Sequence, residues 1–161
     1  MTPPSRIIVT AGVGTGPTTL AAFDAALRLA GVANFNLILL SSVIPHGTGP
    51  VEFHSTSPHA EGAWGDRLYV VMADERVQER NVEAWAGLGW VQDPGTGQGL
   101  FVEHHGHSEA TVRADIVSTL ESMTGGRPEH FGPIQMKLAG GTCEDESVCA
   151  LVVAVFGSEP W

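Results

Sequence analysis

Strand-forming runs outnumber helical ones along this chain, and that imbalance constrains its fold more than any other feature. RIIVTAG, FNLILL, RLYVVMA, LFVEHHG, GPIQMKLAGG and ESVCALVVAVFG are rich in aliphatic and β-branched residues and are bounded by turn formers. Helical signals are fewer. TTLAAFDAALRLAG has Pro17 near its start and Gly31 just past its end, with Leu20, Phe23, Leu27 and Ala30 as its apolar stripe. SEATVRADIVSTLESM offers Ser108 as a cap and puts Val112, Ile116, Leu120 and Met123 on one face. RVQERNVEAWAGLGW reads as a further helix, and QDPGTGQG as a hairpin-like turn into LFVEHHG. A plain strand–helix alternation cannot use so many strands. The pattern predicts an α/β (α+β) protein whose mixed or antiparallel sheet is covered by helices.

Neither a repeat nor a linker interrupts the 161 residues, so one domain over residues 1–161 is expected. A 43% hydrophobic and 16% charged composition is that of a globular chain with a sizeable core, not of a disordered one. Its net charge of -10 lacks the basic footprint that nucleic acid or an anionic membrane surface requires. An acidic field favours cationic small molecules only weakly, because acidic surfaces mostly serve solubility. MTPPSRIIVTAG has no basic region followed by a long apolar stretch, and no apolar run reaches the length of a membrane span. Cys143 and Cys149, in TCEDESVC, match no usual metal or redox spacing. A reduced cytoplasmic protein is the simplest expectation.

Few residues stand out chemically. TAGVGTGP follows a strand and precedes a helix, as a phosphate-binding turn does, but its alternating Gly12, Gly14 and Gly16 are not G-x-G-x-x-G. A tight glycine turn between packed elements is the expectation there. Residues 45–66, rich in Pro, Gly, His and Ser, read as a long loop. VEHHGH puts Glu103, His105 and His107 on one side of a regular strand, but no third strong ligand is apparent, and no metal is expected. Glu103 closes the apolar run Leu100–Val102, where partial desolvation would suit a proton donor. Asp24 borders an apolar stripe and would anchor an ammonium or guanidinium if it faced a cleft.

The adjacent serines of NFNLILLSSVIPHG allow three readings. They can cap a strand end through backbone hydrogen bonds. A hydrolase nucleophile is disfavoured, because there is no G-x-S-x-G elbow. The third reading is self-cleavage. The Ser42 hydroxyl attacks the Ser41 carbonyl, elimination across Ser42 breaks the chain, and hydrolysis leaves a pyruvoyl group on the new N-terminus. That chemistry needs a strained turn and a donor to the preceding carbonyl, and Asn36 is the candidate donor.

TAGVGTGPTTLAAFDAALRLAGVANFNLILLSSVIP resembles the N-terminal half of the pyruvoyl-dependent arginine decarboxylase family, and GLFVEHHG, SEATVRADI and SVCALVVAVFG fit its later segments in order. The resemblance implies a four-layer αββα sandwich assembled as a homotrimer or a dimer of trimers, with active sites at subunit interfaces. It implies cleavage between Ser41 and Ser42, giving a β chain of residues 1–41 and an α chain of residues 42–161 that carries the pyruvoyl group. Arginine, a basic amino acid, would lose carbon dioxide to give agmatine. Glu103 would supply the proton and Asn36 would assist processing. Asp24 would hold the guanidinium, Leu27 would line the aliphatic part of the substrate, and Phe35 would flank it. A different amino-acid substrate, or an unprocessed homologue acting as a binding or scaffold subunit, is the alternative.

Overall fold

The computed structural model describes residues 2–55 and 60–161. Its central strand is β9 (Ser147–Glu159), whose first eight residues are buried on both faces. This continuous apolar run is what a strand covered on two sides requires. β1 (Ile7–Gly16) and β5 (Arg67–Val77) flank it antiparallel, while β2 (Asn36–Leu39) and β4 (Val51–Phe53) add the edges in parallel to β5 and β1. The resulting order is β2-β5-β9-β1-β4. A second, wholly antiparallel sheet has the order β3-β7-β6-β8, from β3 (Val43–Ile44), β6 (Glu83–Gln92), β7 (Gly99–Gly106) and β8 (Gln135–Thr142).

The two sheets face each other across the main core, which includes Ile7, Val9, Val71, Leu88, Trp90, Phe101 and Val152. Phe101 stacks obliquely between Trp90 and Phe156, with ring centroids 5.8 and 6.0 Å away. Each sheet carries one helix on its outer face. α1 (Thr19–Leu29) covers β1 and β9, and α2 (Glu109–Gly125) covers β6 and β7. The four layers α, β, β, α are those the family resemblance implies. Ser108 caps α2 by accepting a hydrogen bond from Thr111 N at 3.3 Å, and Val112, Ile116 and Leu120 form its buried face.

Three readings of the sequence are corrected. GVGTGP is not a turn: β1 continues to Gly16, and its glycines face α1. A Cβ on Gly14 would lie 2.6 Å from Ala22 O and would collide with Ala26 N, so only glycine lets the helix backbone come this close. The buried face of α1 is accordingly Ala22 and Ala26, continued by Ala30. Leu20, expected in the stripe, is 67% exposed, and Phe23 and Leu27 are only half-buried. Second, RVQERNVEAWAGLGW is not a helix. Its second half is β6, a central strand of the second sheet, with Gly87 and Gly89 beneath Ile116 of α2. Third, β4 falls inside the expected loop of residues 45–66. The rest of that segment is irregular as far as it is described, and Thr56 to His59 lie outside the described residues.

Candidate active site

Ser41 and Ser42 sit where the chain leaves one sheet for the other. β2 belongs to the first sheet, where Leu40 N still donates to Val70 O at 2.9 Å. Only Ser41 and Ser42 separate Leu40 from β3, where Val43 is paired with Leu100 of β7 in the second sheet. A jump between sheets within so few residues demands a sharp change of direction. Ser42 supplies it with φ +69°, in the left-handed region that non-glycine residues enter at a cost of about 1–2 kcal/mol. The strained serine that self-cleavage calls for is therefore present.

Ser42 is held from two sides. Its Oγ donates to Glu103 Oε1, and its carbonyl accepts from Phe101 N at 2.8 Å. Both partners belong to β7. Phe101, Glu103 and His105 alternate with Leu100 and Val102, so they share the face turned toward the first sheet, while Leu100 and Val102 pack under α2. Glu103 is half-buried at the end of this apolar stretch, as its place in the sequence led one to expect.

His105 and His107 converge on a residue the sequence did not single out, Glu75 of β5. Glu75 Oε2 lies 2.5 Å from His105 Nδ1, and Oε1 lies 3.3 Å from His107 Nε2. The nitrogens sit on the carboxylate at hydrogen-bond distance. No group of three or more His, Cys, Asp or Glu that could hold a metal ion is found among the described residues. His104 points the other way and bonds Thr119 of α2 at 2.9 Å.

The remaining candidate residues are not brought to Ser42 within one chain. Asp24 lies on the solvent side of α1, 61% exposed and paired with Arg28 at 3.1 Å, so the first sheet stands between it and Glu103. Leu27 and Phe35 pack in the seam beneath α1 with Val32 and Leu68. Asn36 opens β2, five residues or about 16 Å of extended chain from Ser41. Its amide donates to Gly65 O at 2.6 Å rather than to the Ser41 carbonyl. Leu39 and Val43, on either side of the serines, are 63% and 57% exposed.

The cysteines offer no competing nucleophile. Both are buried and free, and burial, with Asp74 nearby, pushes the Cys149 thiol up to about 12. In the hairpin between β6 and β7, the amides of Gly95 and Thr96 hold the Asp93 carboxyl below its ordinary range, which marks a turn and not a catalytic acid. No helix among the described residues is long and apolar enough to cross a membrane.

A pyruvoyl-dependent arginine decarboxylase from Halobacterium salinarum is 40% identical over 116 residues, which is 71% of this chain and 69% of that one. One from Methanocella arvoryzae is 32% identical over 115 residues, covering 70% and 68%. One from Thermoplasma volcanium is 36% identical over 111 residues, covering 66% and 58%. The family model for pyruvoyl-dependent arginine decarboxylase matches residues 6–159. With almost the whole fold inside that match, the chain belongs to the pyruvoyl-dependent arginine decarboxylase family.

Proposed function

We propose that this protein cleaves itself between Ser41 and Ser42 and then decarboxylates arginine to agmatine and carbon dioxide. The observation that carries the proposal is Ser42 itself: a left-handed serine at a sheet crossing, with its hydroxyl on Glu103 and its carbonyl on the Phe101 amide. Residues 1–161 act as one unit that becomes an N-terminal piece, 1–41, and a C-terminal piece, 42–161. Among the described residues no helix is long and apolar enough to cross a membrane, and the net charge of -10 is compatible with a small basic amino acid as substrate.

The processing chemistry follows from these contacts. Glu103 accepts the Ser42 Oγ proton as the oxygen attacks the Ser41 carbonyl carbon, so the peptide bond becomes an ester and the Ser42 nitrogen becomes an amine. Loss of the Ser42 α-proton and of the Cβ–O bond frees Ser41 as a carboxylate. Water then replaces the nitrogen, which leaves as ammonia, and residue 42 ends as a pyruvoyl group. Relief of the positive φ favours the first step, because the strained peptide bond is the one consumed. The Phe101 amide keeps the Ser42 carbonyl fixed throughout.

Residue 42 fits the group: it has the required side chain, a carboxylate at its β-oxygen and a donor on its own carbonyl. When formed, the pyruvoyl ketone supplies an electrophile for the substrate amine and a sink for the electrons released with carbon dioxide. The protein supplies the rest. Glu103, left beside residue 42, delivers a proton to the substrate α-carbon. Asp24 holds the guanidinium, Leu27 and Phe35 line the aliphatic chain, and Asn36 supports the Ser41 carbonyl during cleavage. Because Asp24 and Asn36 lie far from Ser42 in their own chain, the reading requires a second copy to bring them, in a homotrimer or a dimer of trimers. The exposed Leu39 and Val43 beside the cleavage site are apolar surface for such a contact.

Two measurements test this. The intact mass of purified protein should show two fragments that split between Ser41 and Ser42. A single full-length species after long incubation overturns the proposal and leaves an uncleaved binding or scaffold subunit. Carbon dioxide release over a panel of amino acids should be largest with arginine; release from lysine or histidine alone sinks the arginine assignment but keeps the chemistry.

A further inference from the structure

Amino-acid decarboxylation has a proton cost that the contacts of Ser42 do not meet. The substrate loses carbon dioxide from a carboxylate and gains hydrogen at the α-carbon, so each turnover consumes one proton from solvent. In the reading above, Glu103 gives that proton and must be recharged before the next cycle. Glu103 is half-buried, with its carboxylate against residue 42.

The next position on the same face of the same strand is His105. Two residues apart on one strand, their Cα atoms are about 7 Å from each other, a gap that one water can bridge. The His105 side chain is 62% exposed, so it is more open to solvent than the half-buried Glu103. It is also held in a defined pose. Its Nδ1 meets Glu75 Oε2 at 2.5 Å, and because a carboxylate only accepts, Nδ1 carries the hydrogen. Glu75 is itself only 16% exposed and comes from the other sheet, so the pose is anchored in the body of the protein. That leaves Nε2 free to take up and release protons. A carboxylate that fixes the tautomer of an imidazole and frees the far nitrogen is a recurrent design for proton transfer.

We propose that His105, oriented by Glu75, relays protons from solvent to Glu103 between turnovers. The inference rests on the arginine decarboxylase reading. The proton on His105 Nε2 passes through a bridging water to the Glu103 carboxylate, and Nε2 takes another from bulk water. Among the described residues no other side chain is placed to do this. Glu75, His107 and Lys137 are the remaining titratable groups on that side: His107 has its own nitrogen tied to Glu75, and Lys137, opposite Leu88 on β8 and so two strands from Glu103, lies over the Phe53 ring at 4.3 Å. β6, beside β7, turns Ala84, Ala86 and Leu88 to this face, none of them charged. Asp74 and Arg76 alternate with Glu75 on β5 and pair with each other on its opposite face. His104 bonds Thr119 under α2.

The test uses the full chain after self-cleavage. His105→Ala should cleave normally by intact mass, yet release carbon dioxide from arginine roughly 10- to 100-fold more slowly, with KM changed by less than about twofold. Added imidazole should restore the rate in proportion to its concentration, because an exposed site can admit it; a purely structural ion pair gives no such rescue. Glu75→Gln should show a smaller loss in kcat, and His104→Gln, on the other face, wild-type turnover. Wild-type kcat in His105→Ala, or a deficit that imidazole leaves untouched, overturns the relay alone. A wild-type protein that releases no carbon dioxide from arginine overturns the reading beneath it and the relay together.

Discussion

The cleavage half of the site and the substrate half are built in opposite ways. Around Ser42 one chain brings the reacting groups together, leaving only the Asn36 donor to a neighbour: the strained serine, the Glu103 carboxylate and the Phe101 amide meet within hydrogen-bond distance although Glu103 is 61 residues away in sequence. Around Asp24 one chain completes nothing. Its carboxylate faces solvent on the outside of α1, and its one ion-pair partner among the described residues is Arg28 of its own helix. On the proposed reading, bond-breaking is prepared inside the subunit, where strain and burial can be held, whereas substrate recognition would wait for a neighbour. Self-cleavage needs no second molecule to supply its reacting atoms, but binding a cation specifically gains from a site that closes on assembly.

The largest effect is expected at the completed half. Glu103→Gln keeps an acceptor for Ser42 Oγ but cannot give up or take on a proton. Carbon dioxide release from arginine should fall by about 10²- to 10⁴-fold, with cleavage slowed as well. A Glu103→Gln enzyme with near wild-type turnover would place the proton donor elsewhere and break the comparison. At the incomplete half, Asp24→Asn should raise KM for arginine and lower kcat/KM by about 10- to 100-fold, the worth of one charge-assisted contact. It should leave cleavage intact. The decisive form of this experiment is mixing. Asp24→Asn subunits, impaired, and Ser42→Ala subunits, inactive, should regain activity when co-assembled, since one site can draw an intact residue 42 from one copy and an intact Asp24 from the next. Mixed oligomers no more active than the sum of the separate proteins would show that each site is completed by a single chain. The smallest effect belongs to Arg28→Ala. Its exposed pair with Asp24 is worth about 0.3–0.5 kcal/mol, so freeing the carboxylate should lower KM by about twofold with no change in stability beyond that size.

The outer layers show why part of the fold was legible and part was not. α2 was readable because its buried residues are large and helically spaced, and because Ser108 caps it. The buried face of α1 is alanine on glycine, which carries almost no hydrophobic signal. The larger side chains therefore drew the reading to the edge of that face, where Phe23 and Leu27 pack beside buried Ala30 but Leu20 is exposed. β6 was missed for a related reason. Its outward positions include Gly87 and Gly89, made small by the Ile116 and Leu120 side chains above them, and an alternation built on Gly and Ala does not look like a strand. Had the two glycine sets been recognised as helix seats, both errors would have vanished, but a glycine that allows close approach and a glycine that allows a turn are the same letter.

What the chain determined by itself is the inventory: a paired serine at the end of an apolar run, an acid closing a later strand, a capped amphipathic helix and an excess of strands over helices. Local composition fixes these because propensity and capping act over a few residues. Only the tertiary structure decided that Ser42 would be twisted to φ +69° by the crossing between sheets, that its hydroxyl would meet Glu103, and that His105 would be pinned by Glu75 from the facing sheet. Those are contacts between residues distant in sequence. They exist because the sheets pack with a particular register and spacing, which no short stretch of sequence encodes.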